Sequence, residues 1–323
     1  MKRPEIQFSN TSQEQFKASA LELYRYQYEN NAIYRAYCDL IQRSPKEVQL
    51  FEDIPFLPIS FFKSHQVVSA DTAPQDMLTF KSSGTTETLK RSAHYVLDPE
   101  LYIKSFKAGF AHAYGSHTDY RILALLPSYQ EQSHSSLIYM VDHLMEEAKN
   151  GSHYITLEED FDRLFEESQK TLLIGVTFAL LEMAERFQKP LHNTIVMETG
   201  GMKGRRKELV RAEVHALLKK AFSVDTVHSE YGMTELLSQA YAKKEGKFEC
   251  PPWMQVRIRE TEDPFSYCQP TRTGAINVID FANLNSCSFI ATDDLGRRYE
   301  DGSFEVIGRF DHAETRGCNL MMA

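Results

Sequence analysis

The 323-residue chain has one tryptophan, five cysteines and no long apolar run, and each shortage removes a class of protein. The cysteines, Cys38, Cys250, Cys268, Cys287 and Cys318, are odd in number and contain no C-x-x-C pair. That argues against a structural zinc site or a disulfide framework and fits a reducing cytoplasm. The most apolar stretch, 172–181, is about half of the roughly 20 residues that span a bilayer. It contains Gly175 and Thr177 and reads as core, so no membrane insertion is expected. Met1-Lys2-Arg3-Pro4-Glu5 leads into polar sequence with no apolar segment, so no signal peptide is expected. Positive charge is scarce as well: 36 Lys and Arg stand against 45 Asp and Glu, a net charge of -9. Nonspecific binding of nucleic acid or anionic membrane needs clustered cations and is not expected. A local basic site for one polyphosphate is compatible with that balance. No repeat or low-complexity segment occurs. With 42% hydrophobic and 25% charged residues, the chain is an ordinary soluble globular protein, large enough for more than one lobe.

The hydrophobic periodicity divides the chain into three textures. The first fifty residues read as helix, with Phe16, Leu21, Tyr24, Tyr28 and Tyr34 at roughly helical spacing. Pro55 and Pro58 make 54–59 extended. From 120 to 235 short apolar runs (121–126, 172–176, 194–197 and 226–228) alternate with helical patterns (137–148, 178–186 and 207–221). Thr177 is the expected N-cap of the second helix. Val210, Val214, Leu217 and Leu218 form the expected buried face of the third. Strands alternating with helices predict a parallel sheet covered on both faces, with ligands beyond the carboxyl ends of its strands. The polar loops 127–135, 199–206 and 229–235 fall on that edge. After 250, runs at 254–259, 274–280, 288–292 and 303–307 with turns such as Asp301-Gly302 predict a small antiparallel β subdomain.

Residues 80–90, Phe-Lys-Ser-Ser-Gly-Thr-Thr-Glu-Thr-Leu-Lys, are the most informative segment. Hydroxyls and backbone N–H groups between Lys81 and Lys90 suit a polyphosphate. Gly84 lets the backbone approach a ligand without a Cβ in the way. Such clusters also make plain turns, so the rest of the chain has to supply the remainder of a nucleotide site. Glu230-Tyr231-Gly232-Met233-Thr234-Glu235 offers a ring to stack on a base, a hydroxyl for phosphate and a carboxylate for Mg²⁺. It also reads as an ordinary helix start. Thr292-Asp293-Asp294-Leu295-Gly296 and Ile307-Gly308-Arg309-Phe310-Asp311 each read as a turn, with Asp294 and Arg309 as candidates for ribose hydroxyls.

In this order the segments resemble the adenylate-forming superfamily of acyl- and aryl-CoA ligases, peptide-synthetase adenylation domains and luciferase. Ser83, Gly84, Thr85, Thr86 and Lys90 match its Ser-Gly-Thr-Thr-Gly-x-Pro-Lys loop, with Glu87 and Leu89 departing from the usual glycine and proline. Tyr231-Gly232-Met233-Thr234-Glu235 matches Tyr-Gly-x-Thr-Glu in full. Asp294-Leu295-Gly296 and Gly308-Arg309-x-Asp311 match two further motifs, with Asp293 in place of a glycine. The resemblance covers nearly the whole chain. It implies an α/β adenylate-forming core of parallel sheets flanked by helices, plus the small antiparallel subdomain at about 250–307. It also implies the cofactors ATP and Mg²⁺. Ser82, Ser83, Gly84, Thr85, Thr86 and Lys90 would form the phosphate loop, with Thr85, Thr86 and Lys90 on the β- and γ-phosphates. Gly200 and Gly201 would lie against adenine and Tyr231, beside Gly232, would stack on it. Thr234 would touch the α-phosphate, Glu235 would bind Mg²⁺, and Asp294 and Arg309 would hold ribose. Lys90, Thr234 and Cys318 would carry the catalysis.

The ending narrows the subclass. Most of the superfamily continues into a mobile C-terminal domain that carries an adenylation lysine. Here a core of 1–307 is followed by a tail, 308–323, and the lysine usual before Arg316-Gly317 is absent, with Glu314 nearby. This resembles the acyl-protein synthetases of the bacterial luminescence fatty acid reductase system (the LuxE type), as does the Pro-Phe-x-Pro…Phe-Lys stretch at 55–63. The resemblance implies that a fatty acid, or another carboxylate, is activated to acyl-AMP and passed to a cysteine near the C-terminus. Here that cysteine is Cys318. The acyl group would then reach a partner reductase or carrier protein. A thiolate attacks an acyl-adenylate readily, a tail can swing between sites, and Arg316 lies close enough in sequence to lower the thiol pKa. Ser133 and His134 are candidates for the acyl pocket. Lys203, Arg205 and Arg206 either supply the missing cation or open a helix. The rival readings are a phenylacetate-CoA-ligase-like enzyme that uses CoA directly and an inactive nucleotide-binding scaffold.

Overall fold

The computed structural model describes residues 2–69, 77–82, 91–127, 134–165, 169–200 and 209–310. Its strands, in chain order, are β1 (Leu57–Pro58), β2 (Leu78–Lys81), β3 (Ala93–Val96), β4 (Arg121–Leu125), β5 (His153–Tyr154), β6 (Thr171–Gly175) and β7 (Thr194–Glu198). They continue as β8 (His228–Tyr231), β9 (Ala240–Ala242), β10 (Phe248–Glu249), β11 (Met254–Arg259), β12 (Gly274–Asp280), β13 (Phe289–Arg298) and β14 (Phe304–Arg309). The helices are α1 (Gln13–Asn30), α2 (Ala32–Leu40), α3 (Phe61–Ser64), α4 (Pro99–Tyr114), α5 (Ser136–Glu147), α6 (Phe161–Leu164), α7 (Thr177–Arg186) and α8 (Arg211–Phe222).

Among the described residues, twelve strands join one mixed sheet in the order β11-β12-β13-β14-β10-β9-β8-β7-β6-β4-β5, with β1 alongside β13; β2 and β3 make a separate hairpin. Strands β5, β4, β6, β7 and β8 are parallel. From β8 onward through β9, β10 and β14 to β11 the pairing is antiparallel. The antiparallel strands predicted after 250 are therefore hydrogen-bonded, by way of β9 and β10, into the same sheet as the parallel ones.

Alternation along the parallel strands decides which core each side chain enters. Leu123, Leu125, Leu173 and Val196 face the layer of α7 and α8. Ile122, Ala124, Leu172, Ile174 and Met197 face the opposite layer, with α4 and α5. Successive strand residues point to opposite faces, so a strand covered on both sides is apolar throughout. A third core packs α1 and α2 against the antiparallel strands. Local chemistry fixes the helix starts. Ser12 and Gln15 form a reciprocal capping box on α1. Asp98 caps α4 with Pro99 in its first turn.

Four sequence expectations need correction. Thr177 does not cap α7: the helix starts at Thr177, with Val176 in the cap position and no side-chain cap. The Thr177 hydroxyl instead donates to Glu198 Oε2 at 2.9 Å, and a buried carboxylate is the stronger acceptor. Helix α8 begins at Arg211, and its expected face is split, since Val210 is 64% exposed and Leu217 49%. The buried stripe is Val214, His215, Leu218, Ala221 and Phe222, a true helical repeat. The strand expected at 226–228 lies at His228–Tyr231, because Ser229, Glu230 and Tyr231 pair antiparallel with Ala242, Tyr241 and Ala240. Asp293-Asp294-Leu295-Gly296 is not a turn either; it lies inside the ten-residue β13. Gly296 is there for close approach, since a Cβ would collide with the Glu305 carbonyl and meet Ile276 Cδ1 at 2.7 Å.

Candidate active site

A cavity of about 300 Å³ opens beyond the carboxyl ends of the parallel strands. Ser82, His134, Gly200, Gly232 and Thr234 all line it, arriving from four separate segments, with Gly232 and Thr234 together on the one after β8. Tyr102, Leu137, Met140 and Val176 supply apolar wall, while Lys81 and Arg91 bring positive charge. The phosphate-loop candidates Ser83, Gly84, Thr85, Thr86 and Lys90 lie outside the described residues, as do Gly201, Ser133, Lys203, Arg205, Arg206, Asp311 and Cys318. Ser82 and Ser92, described on either side of segment 83–90, are bonded to each other at the cavity. Ser82 N donates to Ser92 O at 3.0 Å, Ser92 N to Ser82 Oγ at 3.1 Å, and Lys81 N to His134 O at 2.8 Å.

The segment after β8 is clamped by buried polar groups. Asp280 accepts from Leu237 N, Ser238 N and Ser238 Oγ at 3.0, 2.9 and 2.6 Å. Asn283 Nδ2 donates to Glu235 O at 2.8 Å. His94 Nδ1 lies 2.9 Å from Thr234 O and its Nε2 2.8 Å from Ser286 Oγ. Burial lowers the His94 pKa to about 4, so the ring is neutral. A neutral ring satisfies both contacts when Nδ1–H donates to Thr234 O and Nε2 accepts the serine proton. Thr234 is thus held by its own backbone, leaving its side chain to the cavity.

Glu198, at the end of β7, organises the wall beside Gly200. It accepts from Thr177 Oγ1 at 2.9 Å, Gly200 N at 3.0 Å, Arg211 Nε at 3.0 Å and Ser229 Oγ at 2.8 Å. Burial pulls this carboxyl upward, but nearby His215, Arg211, Ser229 and Thr177 outweigh burial and hold it down at about 2. Gly200 sits at φ +50, a left-handed conformation that glycine adopts without strain. One strand over, Glu230 lines the cavity and has the reverse character. Burial first, then the charge of Glu198, push it up to about 8.

Tyr231, Glu235, Asp294 and Arg309 gather just behind. The Tyr231 hydroxyl donates to Asp294 Oδ2 at 2.9 Å, and Arg309 Nε pairs with Asp294 Oδ1 at 3.2 Å. The Tyr231 ring packs on Phe248 and Phe304 and is 7% exposed. Burial raises the carboxyls of Asp294 and Glu235, with Arg309 opposing the rise at both. Glu235 offers one hard-oxygen ligand, and among the described residues no group of His, Cys, Asp and Glu forms a protein-only metal cage. That donor set fits Mg²⁺ held largely through substrate phosphates and water. The sequence reading gave no role to Glu198, Glu230, His94, Arg91 or Gln239. Glu198 lies two residues before Gly200 and Glu230 opens the 230–235 segment, which was the available signal.

The described residues include no helix long and apolar enough to cross a membrane. The fold is that of the adenylate-forming ligase core. Over 94% of this chain and 70% of the other, it is similar to 2-hydroxyisobutyryl-CoA ligase in complex with 2-HIB-AMP and CoA (TM-score 0.67, 11% identity). It is also similar to ATP-bound MatB from Rhodopseudomonas palustris (TM-score 0.55, 18% identity, 75% of this chain), of which it spans 50%. Within that class the chain belongs to the acyl-protein synthetase family LuxE, whose profile matches residues 151–323. It is 25% identical over 327 residues to the long-chain-fatty-acid–luciferin-component ligase of Vibrio harveyi, covering 93% of this chain and 85% of that one.

Proposed function

We propose that this protein joins a fatty acid to ATP as acyl-AMP, moves the acyl group to Cys318, and passes it to a partner reductase or carrier. The observation that carries the reading is the convergence of Ser82, Gly200, Gly232 and Thr234 on one cavity. In the first step a carboxylate oxygen attacks the α-phosphorus, a new P–O bond forms, the α–β bridge breaks, and pyrophosphate leaves. Two anions must meet, so cations and positioning supply most of the catalysis. Ser82, Ser83, Gly84, Thr85, Thr86 and Lys90 hold the outer phosphates, with Lys81 and Arg91 beside them. Gly200 and Gly201 flank adenine, Thr234 meets the α-phosphate, and Asp294 and Arg309 take the ribose. Tyr231, with its ring buried, acts by holding Asp294 rather than as an open stacking platform. Glu235 would hold Mg²⁺, which would offset phosphate charge.

In the second step the Cys318 thiolate attacks the acyl carbon. A C–S bond forms, the C–O bond to AMP breaks, and the thiol proton goes to solvent. Burial raises the thiols of Cys38, Cys250, Cys268 and Cys287, with Glu260 adding to the rise at Cys268, which makes all four weaker nucleophiles and supports the choice of Cys318. Carboxylate-dependent ATP–pyrophosphate exchange tests the first step, and its absence with every acid tried overturns the reading. ATP and labelled fatty acid should leave a hydroxylamine-labile label on the protein. A label that survives Cys318→Ala rules out the tail cysteine, and acyl-CoA formation without protein labelling points to direct use of CoA.

A further inference from the structure

The apolar wall of the cavity is interrupted by two polar side chains whose carboxyl or amide oxygens take no hydrogen bond among the described residues. Gln239 is 4% exposed, and its Oε1 is buried without a hydrogen-bond partner. Glu230 lines the same cavity, and burial and the charge of Glu198, with no hydrogen bond among the described residues, act on its carboxyl. The two converge above Gly232, where a Cβ would collide with Glu230 Oε1 and touch Gln239 Cγ at 3.4 Å. Leu137, Met140 and Val176 line the rest of that space.

A plain alkyl chain entering here strips water from Glu230 and leaves the Gln239 oxygen as unpaired as before, so neither group gains a partner. The pair is complementary to a group that both accepts and donates. Glu230 is pushed up to about 8, so at neutral pH its carboxyl carries a proton and donates one hydrogen bond, while Gln239 Oε1 accepts one. An ammonium group is a poor fit, because Lys81 and Arg91 already bring positive charge to the cavity. We propose that the acid activated here carries a hydroxyl on its acyl portion, and that Glu230 and Gln239 select it by hydrogen bonding. The inference rests on the adenylation reading above and narrows its substrate class.

The test is ATP–pyrophosphate exchange by the full-length protein with chain-matched sets of unsubstituted, hydroxylated and amino-substituted fatty acids. The expected kcat/KM favours the best hydroxy acid over its unsubstituted counterpart by on the order of a hundredfold, since sites built to bond a hydroxyl reject its absence strongly. In the double variant Glu230→Leu/Gln239→Leu the ratio should fall to within about threefold of unity. Glu230→Gln, which keeps a donor, should retain most of the preference. If the double variant does not fold, Gln239→Met alone should cut the ratio by about tenfold. Preference for the unsubstituted acid, preference for the amino acid, or a ratio unchanged in these variants overturns the proposal while leaving adenylation standing. No exchange with any acid overturns the adenylation reading itself, and this one with it.

Discussion

Glu198 and Glu230 stand on adjacent strands, and burial pushes both carboxyls toward protonation. The protein resolves that pressure in opposite ways. Glu198 pairs in register with Ser229 on the face toward α7 and α8, where Thr177, Arg211, Ser229 and the Gly200 amide all donate to it. Strand alternation turns Glu230, the next residue after Ser229, to the other face, toward Tyr102 and Tyr241, where no donor among the described residues meets it. A buried carboxylate with every lone pair occupied is scaffold. One that lines a cavity without a partner is waiting for a ligand. The two regions therefore separate the part of the site that fixes Gly200 from the part that reads the substrate.

The largest effect should come from removing the scaffold carboxylate. Glu198→Ala strands Arg211, Ser229, Thr177 and the Gly200 amide together, and should cost about 3 kcal/mol or more in urea denaturation. Glu230→Gln should change stability by less than about 1 kcal/mol at pH 4.5, where the parent carboxyl is still protonated in the folded chain, because it removes no internal bond. Equal losses from the two substitutions would erase the distinction drawn above.

The pH dependence should then differ in sign. The Glu198 pKa falls from 4.5 to about 2 on folding. The unfolded chain binds a proton that the folded one refuses, so this stability is present above 4.5 and lost as pH falls toward 2. The Glu230 pKa rises from 4.5 to about 8. Here the folded chain holds the extra proton, so this contribution is full below 4.5 and lost as pH rises toward 8. Melting curves from pH 5 to 9 should therefore show a decline in the parent that Glu230→Gln removes. A decline unchanged in that variant means the carboxyl is not perturbed.

A smaller effect is expected at His94, which holds Thr234 from behind. His94→Phe leaves Thr234 O without its ring partner and Ser286 Oγ with only the longer bond to Asn283 O, and should cost about 2 kcal/mol. It should also raise KM for ATP in the exchange assay, because the Thr234 segment loses an anchor. A stability loss with unchanged KM would confine His94 to packing.

Much of this architecture was legible in the sequence because local chemistry and tertiary pairing agree there. The apolar runs that became β4, β6 and β7 fell within a residue or two of their observed bounds, since strands covered on both faces have no polar positions to confuse the period. Where pairing across the sheet decides, the sequence misled. Asp293 to Gly296 carries turn chemistry, yet β12 and β14 hold it extended on both sides. The same limit applies at the site. Thr234 and Gly200 were visible as motif members, whereas His94 and Gln239 were not. Their roles depend on partners distant in the chain, as between His94 and Ser286, and on a cavity that no spacing encodes.

Thr177 gives the smallest and sharpest test, because cap and scaffold predict opposite signs. As an N-cap, Thr177→Asp would stabilise α7 or leave it unchanged, since aspartate is at least as good a cap. In the observed geometry the new carboxylate would face Glu198 Oε2, now 2.9 Å from the Thr177 hydroxyl, in a buried setting. Like charges there repel, so Thr177→Asp should destabilise and should raise the acid midpoint of the Glu198 contribution. Thr177→Val keeps the shape, removes only the donor, and should cost about 1.5 kcal/mol, the loss expected for a hydrogen bond to a charged acceptor. Thr177→Ser keeps the donor and should stay closer to the parent than valine. A stabilising aspartate would return Thr177 to the helix cap and take one of the four donors away from Glu198.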